Sequence, residues 1–273
     1  MKLTLGFSPC PNDTFIFAAM ANGLIDCQDF EFEFVIKDVE ELNQQALLET
    51  LDVTKLSFHA YAHCYDSYIL LRSGSALGRG CGPLLICRPG FDHSSLTEAR
   101  IAIPGKLTTA NFLLDFYQNG CNKEVYPFDQ IETAIAEGGI DAGVIIHENR
   151  FTYASRGLDK IVDLGAHWED QTELPIPLGG IVGLRKLPMI VLQQISGLIR
   201  KSLDFAYANP AAVMPYVRAH AQEMDDSVMS RHIGLYVNEY SKELDTVATS
   251  AITHFLAKCG VESELPVMVE KYL

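Results

Sequence analysis

The feature that most constrains this chain is a repeated order of short apolar strand, polar turn and amphipathic helix. Residues 3–8 alternate apolar and small side chains, and Pro9-Cys10-Pro11-Asn12-Asp13 breaks the run. Asn12 or Asp13 suits the N-cap of a helix over 14–20, which Asn22-Gly23 would end. A strand over 30–36, with Phe30, Phe32 and Phe34 on one side, a helix over 39–51 and a strand over 53–58 continue the pattern. Ala60, Tyr61, Cys64, Tyr65, Tyr68 and Ile69 then read as one helical face. A glycine-rich loop over 74–82 leads to an apolar strand over 83–87.

The unit recurs with a strand over 100–103, the turn Pro104-Gly105-Lys106, and a helix opened by Thr108-Thr109. Ala110, Leu113, Leu114 and Tyr117 form its apolar stripe. A helix over 131–137, a buried strand over 142–146 and a strand over 179–184 follow. From Leu187 onward the chain reads as helical, with starts at Asn209-Pro210 and Asp225-Asp226. This order specifies an α/β fold of two units, the second inserted into the first. The expected division is 1–88, 89–179 and 180–273, with crossings near 87–90 and 178–180.

Charge narrows the partners. The chain has 273 residues, 21 basic and 35 acidic, for a net charge of −14. An acidic surface repels phosphate backbones and anionic headgroups, so nucleic acid and membrane insertion are not expected. No apolar run reaches the roughly 20 residues that a membrane helix needs. The first residues read as a strand rather than a secretory leader. Seven cysteines without a CxxC pair fit free thiols in a reducing compartment, so a cytoplasmic location is expected.

Polar residues collect where strands end. Ser8 to Asp13, Ser57, Lys106 to Asn111 and His147 all take this position. Ligands gather at such edges in parallel sheets, and two facing units would form a cleft there. Ser57 also reads as a helix cap, and so does Thr108 or Thr109. Pro104-Gly105-Lys106-Leu107-Thr108-Thr109-Ala110-Asn111 offers two hydroxyls and helix-start N–H groups, a suitable cradle for a carboxylate. His147 follows a buried strand and is either structural or a general base.

Other chemistries lack their signatures. There is no GxSxG, no GxGxxG after a strand, and no lysine–serine phosphate loop. His147-Glu148 has phenylalanine, not histidine, four residues on, and His59 with His63 lacks a third ligand by spacing, so no metal is expected. The residues describe a two-lobed binder of a small anionic molecule, with one histidine available for proton transfer.

Five segments taken in order carry a closer resemblance. They are Ser8-Pro-Cys-Pro-Asn-Asp-Thr-Phe15, Lys55-Leu-Ser-Phe-His-Ala-Tyr61, Ser75-Ala-Leu-Gly-Arg-Gly-Cys-Gly-Pro-Leu84, Pro104-Gly-Lys-Leu-Thr-Thr-Ala-Asn111 and Ile146-His-Glu-Asn-Arg-Phe-Thr-Tyr153. Together they resemble the 1,4-dihydroxy-6-naphthoate synthase family of the futalosine route to menaquinone. The resemblance implies a type II periplasmic-binding-protein fold, with a ligand cleft between lobes and a helical C-terminal segment. It implies a lyase that converts cyclic dehypoxanthine futalosine to 1,4-dihydroxy-6-naphthoate without metal or organic cofactor. His147 matches that family's proton acceptor, and Lys55, Leu56, Ser57, Thr109 and Ala110 match its substrate-contacting segments. Chorismate dehydratase, of the same pathway, and a non-catalytic solute-binding protein are the alternatives with this fold.

Overall fold

Lys2–Phe7 forms β1 and Glu31–Ile36 forms β2, paired in parallel from Lys2↔Glu31 to Phe7↔Ile36. The computed structural model describes residues 1–221, 225–262 and 268–269. Between these strands lies α1 (Pro11–Ala21), whose cap falls two or three residues earlier than the Asn12 or Asp13 expected from sequence. Cys10 is its N-cap and Pro11 its first residue. Proline has no N–H to lose there and its fixed φ suits the first helical turn, so the helix begins at the proline. Asn12 and Asp13 are thereby released for side-chain bonding inside the fold.

The first unit continues with α2 (Val39–Leu47), β3 (Val53–Ser57), α3 (Phe58–Tyr61), β4 (Tyr68–Leu70) and β5 (Ala76–Gly78). The helical face expected over 60–69 shrinks to the single turn of α3. Its aromatic residues are claimed by tertiary contacts: the Tyr68 hydroxyl donates to the Leu51 carbonyl at 2.6 Å, and Leu70 N–H donates to the Tyr61 hydroxyl at 3.2 Å. Aromatic and β-branched residues fit a pleated surface, and here that preference prevails over the helical spacing. The glycine-rich loop likewise contains a strand, β5.

The second unit holds β6 (Leu84–Cys87), β7 (Arg100–Ile103), α4 (Thr109–Tyr117), β8 (Asn122–Val125), α5 (Ile131–Ala136), β9 (Ala142–Ile145), α6 (Asn149–Thr152), β10 (Asp159–Asp163) and α7 (Leu164–Thr172). The chain returns through β11 (Ile176–Leu184) to α8 (Met189–Ala208), α9 (Pro210–His220), α10 (Asp226–Tyr236), α11 (Glu239–Lys242) and α12 (Thr246–Lys258). The strand order is β2-β1-β3-β11-β4 in one sheet, with β5 on β11, and β10-β6-β9-β7-β8 in the other.

The units divide as 1–78 with 177–273, and 79–176. The first crossing is therefore earlier than the sequence division at residue 88, because β6 pairs antiparallel with β9 and β10 and belongs to the second sheet. Both sheets are mixed, not purely parallel: β11 runs antiparallel to β3 and β4.

Each unit has its own apolar centre. In the first, Phe7 and Phe17 stack with ring centroids 4.7 Å apart and both are fully buried. In the second, Trp168 of α7 is fully buried against Phe112 and Phe116 of α4. Full burial of one large apolar side chain contributes roughly 1.5–3 kcal/mol.

Gly82 and Gly165 fix one close approach within the second unit. A Cβ on Gly82 would lie 2.2 Å from the Gly165 Cα, and one on Gly165 would lie 2.5 Å from the Gly82 Cα. Backbone cannot yield as a side-chain tip can. Gly82→Ala is expected to destabilise the protein by about 1–3 kcal/mol, the usual cost of overpacking. Gly197, exposed within α8 with nothing near its missing Cβ, should behave oppositely. Gly197→Ala is expected to stabilise by about 0.5–1 kcal/mol, since alanine removes glycine's entropic penalty in a helix. Urea unfolding of the two variants checks both signs.

Candidate active site

β1 and β3 pair in parallel through Leu5↔Val53 and Gly6↔Thr54, so their carboxyl ends open on one edge of the first sheet. Lys55 and Ser57 are two apart on β3 and share a face, while Leu56 points to the opposite one. That alternation decides their roles. Leu56 is fully buried apolar core, while Lys55 reaches the polar turn after β1 and Ser57 reaches Asn43 of α2.

There Asp13 organises the segment. Its Oδ2 accepts from the Ser8 hydroxyl at 2.7 Å and the Ser8 N–H at 3.2 Å. Its Oδ1 accepts from Lys55 Nζ at 2.7 Å and Asn12 Nδ2 at 2.8 Å. Asn12 Oδ1 in turn lies 2.9 Å from Nε2 of the buried His232 on α10. Because the Asn12 amide nitrogen is occupied as a donor to Asp13, its oxygen is the acceptor and His232 donates from Nε2. The chain of bonds ties α10, the Ser8–Asp13 turn and β3 together.

Ser57 is held differently. Its N–H donates to Asn43 Oδ1 at 2.8 Å, and Asn43 Nδ2 donates to Ser57 Oγ at 3.2 Å. Oγ accepts that bond, and the Ser57 hydroxyl keeps its own proton to donate. Ser57 therefore does not cap α3, and no side-chain cap bond is present there.

In the second unit the same logic applies to β7 and β9, parallel through Ile101↔Ala142 and Ala102↔Gly143. The turn after β7 is capped by Thr108, whose Oγ1 accepts from Asn111 N–H at 3.2 Å and donates to the Gly105 carbonyl at 2.8 Å. Asn111 Nδ2 donates to the Lys106 carbonyl at 2.8 Å, and Lys123 Nζ to Asn111 Oδ1 at 2.8 Å. Thr108 being the cap, Thr109 and Ala110 are the first two helical residues, at the end of the helix where backbone N–H groups point outward. Both residues are buried.

His147 lies two residues beyond β9 with φ of +58°, in the left-handed region that residues other than glycine adopt uncommonly. Its ring is half-buried and meets Phe128 edge to face at 4.8 Å. The next residues are fastened to the body of the unit. Asn149 Nδ2 donates to Glu132 Oε2 on α5 at 2.7 Å, and Arg150 Nη2 donates to Asp163 Oδ2 at 2.9 Å. The Arg150 guanidinium also donates to the Gly82 carbonyl. Burial pushes the Glu132 carboxyl above the ordinary glutamate value, a rise that Asn149 and Arg156 oppose.

Sequence reasoning missed Asp13 as an organiser, and missed Asn43, His232 and Glu132. The Ser8-Pro-Cys-Pro-Asn-Asp spacing held the signal for Asp13, since a carboxylate five residues after a serine can turn back on it. Asn43, Glu132 and His232 are ordinary polar residues within helices, brought in by tertiary structure alone.

The family model described as menaquinone biosynthesis matches residues 3–260. A protein of Thermus thermophilus called 1,4-dihydroxy-6-naphtoate synthase is 44% identical over 256 residues, covering 94% of this chain and 93% of that one. A protein of the same name from Streptomyces coelicolor is 39% identical over 272 residues, covering 97% and 95%. A crystal structure of an Archaeoglobus fulgidus protein superposes with a TM-score of 0.89 at 34% identity, covering 95% of this chain and 97% of that one. A Candida albicans protein, described as having the generic periplasmic binding protein fold, superposes at 0.68 with 13% identity, covering 97% and 92%. The last likeness concerns the fold alone, and the fold is that of the periplasmic binding proteins.

Asp13 and Lys55 generate a stability prediction. Their side chains are 1% and 6% exposed, so removing either partner strands the other's charge in the interior. Lys55→Met and Asp13→Leu are each expected to cost about 3–5 kcal/mol. The double variant should cost clearly less than the sum. A double-mutant cycle by urea unfolding checks this, and strict additivity would show that the two charges do not depend on each other.

Proposed function

The chain belongs to the menaquinone-biosynthesis family, and from that premise we propose that it is a 1,4-dihydroxy-6-naphthoate synthase. Its substrate on this reading is cyclic dehypoxanthine futalosine, and its reaction class is that of a lyase. The observation that carries the chemistry is His147, set on a constrained backbone directly after a doubly paired strand. Support for chorismate dehydratase or a solute-binding role is weaker, because both curated relatives carry the synthase name over nearly their whole length.

The proposed mechanism begins with proton removal. Neutral imidazole of His147 takes a C–H proton made acidic by a neighbouring ketone of the substrate. The electron pair left on carbon is delocalised into that ketone as an enolate. Carbon–carbon cleavage then leaves the bonding pair on the three-carbon remainder of the sugar, which takes back the proton held by His147 and departs, and the remaining ring tautomerises to the aromatic dihydroxynaphthoate. Aromatisation makes the overall step downhill. The reaction needs no net redox change, so no redox cofactor is called for by its balance.

Binding falls to groups already in place. The Ala110 N–H and the Thr109 N–H and hydroxyl are offered as the cradle for the ring carboxylate, with the hydroxyl of Ser57 as a further donor. Lys55 contributes through its remaining two ammonium donors and by holding the Ser8–Asp13 turn. Leu56 contributes only through its backbone, its side chain being core. Among the described residues no helix is long and apolar enough to cross a membrane, and the reading places the enzyme in the cytoplasm.

The test is turnover by the purified protein. In the presence of a chelator and with no added cofactor, cyclic dehypoxanthine futalosine should yield 1,4-dihydroxy-6-naphthoate, identified by mass, while chorismate is left intact. His147→Asn should fold and bind product yet lose at least about a hundredfold in kcat, the usual worth of a positioned base. Near-parental kcat in that variant would remove His147 from the base role. Thr109→Val should weaken product binding by about tenfold or more, the worth of a hydrogen bond to a charged group. Its melting temperature should hardly move, since Thr108 and not Thr109 is the cap.

A further inference from the structure

The left-handed backbone at His147 needs an anchor on each side. Residues held in sparsely populated backbone regions cost on the order of 1–3 kcal/mol and persist only where their surroundings over-determine them. On the amino side the anchor is β9, paired with β6 and β7. On the carboxyl side no strand follows, and the chain enters the short helix α6. Something else must hold it.

Glu132 occupies the place from which that can be done. It projects from α5, is fully buried, and lies in sequence beside Ile131, part of the apolar cluster of Ile86, Ile135, Ile140 and Leu158. Its Oε2 receives Asn149 Nδ2 at 2.7 Å from one segment and Arg156 Nε at 3.2 Å from the next. A carboxylate in such surroundings is costly unless it is bonded, so burial at this point is unusual for a glutamate. Among the described residues its Oε1 has no hydrogen-bond partner. A side chain retained there without full satisfaction has a task other than filling the core.

We infer that Glu132 is a positioning residue for the reaction: through Asn149 it fixes the turn that carries His147, and so sets where the imidazole meets the substrate's proton. This inference rests on the reading of His147 as the base. The bond from Asn149 reaches a group on α5, which packs on β9 itself, so both flanks of His147 are referred to the same rigid body. Arg150 adds a second tie through Asp163 and the Gly82 carbonyl.

The effect expected is on kcat rather than on binding. Misplacement of a reacting group by about 1 Å costs on the order of a hundredfold, while ligand affinity set by other residues is little changed. Asn149→Ala and Glu132→Ala should each lower kcat by about ten- to a hundredfold, with product affinity within about twofold of the parent. Glu132→Gln should restore most of the lost kcat, because its amide oxygen still accepts from Asn149. Glu132→Ala places a cavity in the core, so Asn149→Ala carries the test if that variant does not fold.

The decisive experiment repeats Asn149→Ala in a His147→Asn background, with kcat, KM and product affinity measured on folded protein. If Glu132 and Asn149 act through His147, Asn149→Ala causes no further loss there. The same fold-loss in both backgrounds would overturn the proposal, as would parental kcat in folded Asn149→Ala. Parental kcat in His147→Asn alone would sink the base reading and this proposal with it. A large His147→Asn loss beside an unaffected Asn149→Ala sinks this proposal only.

Discussion

Parallel pairing inside each unit is the constraint on which the rest depends. β1 with β3, and β7 with β9, send two chain segments out of each sheet at the same edge. Helices follow these exits, and their amino ends face the same edge as the polar turns. The antiparallel strands β11 and β6 widen the sheets without disturbing this. The polar residues are thus delivered by topology, and side-chain bonding only refines where they stand.

Electrostatics give the arrangement its character. A chain with a net charge of −14 handles an anionic substrate best through local donors rather than a positive field. The candidate residues agree: hydroxyls, helix-start N–H groups, and a lysine whose charge is already balanced by Asp13. Burial pushes the thiols of Cys64, Cys81 and Cys259 up to about 12, so each is protonated near neutral pH.

Much of this was legible in the sequence because strand and helix periods differ. The alternation over 3–8, the stripe Ala110, Leu113, Leu114 and Tyr117, and the exits at Ser57, Thr108 and His147 all follow from local pattern. The helix expected over 60–69 failed because Tyr61 and Tyr68 bond across the fold, which no window of sequence shows. β8, β10 and α7 went unread because β8 and β10 are edge strands of the second sheet, carrying Lys123, Glu124, Asp159 and Lys160 where a buried strand would be apolar. At the site, motif residues could be read and their supports could not. Asp13, Asn43, His232 and Glu132 gain meaning only from partners 5, 14, 220 and 17 residues away in the chain.

On the proposed reading, Thr109, Ala110 and His147, which stand at strand ends of the second unit, act on one bound molecule, with His147 against its reacting carbon. A crystal structure with 1,4-dihydroxy-6-naphthoate bound tests that most directly. The account predicts the product carboxylate within about 3 Å of the Ala110 N–H and the Thr109 hydroxyl, a normal hydrogen-bond distance, and the His147 imidazole in contact with the product's ring system. Product bound with Thr109 and Ala110 untouched, or with His147 turned away from it, would contradict the account.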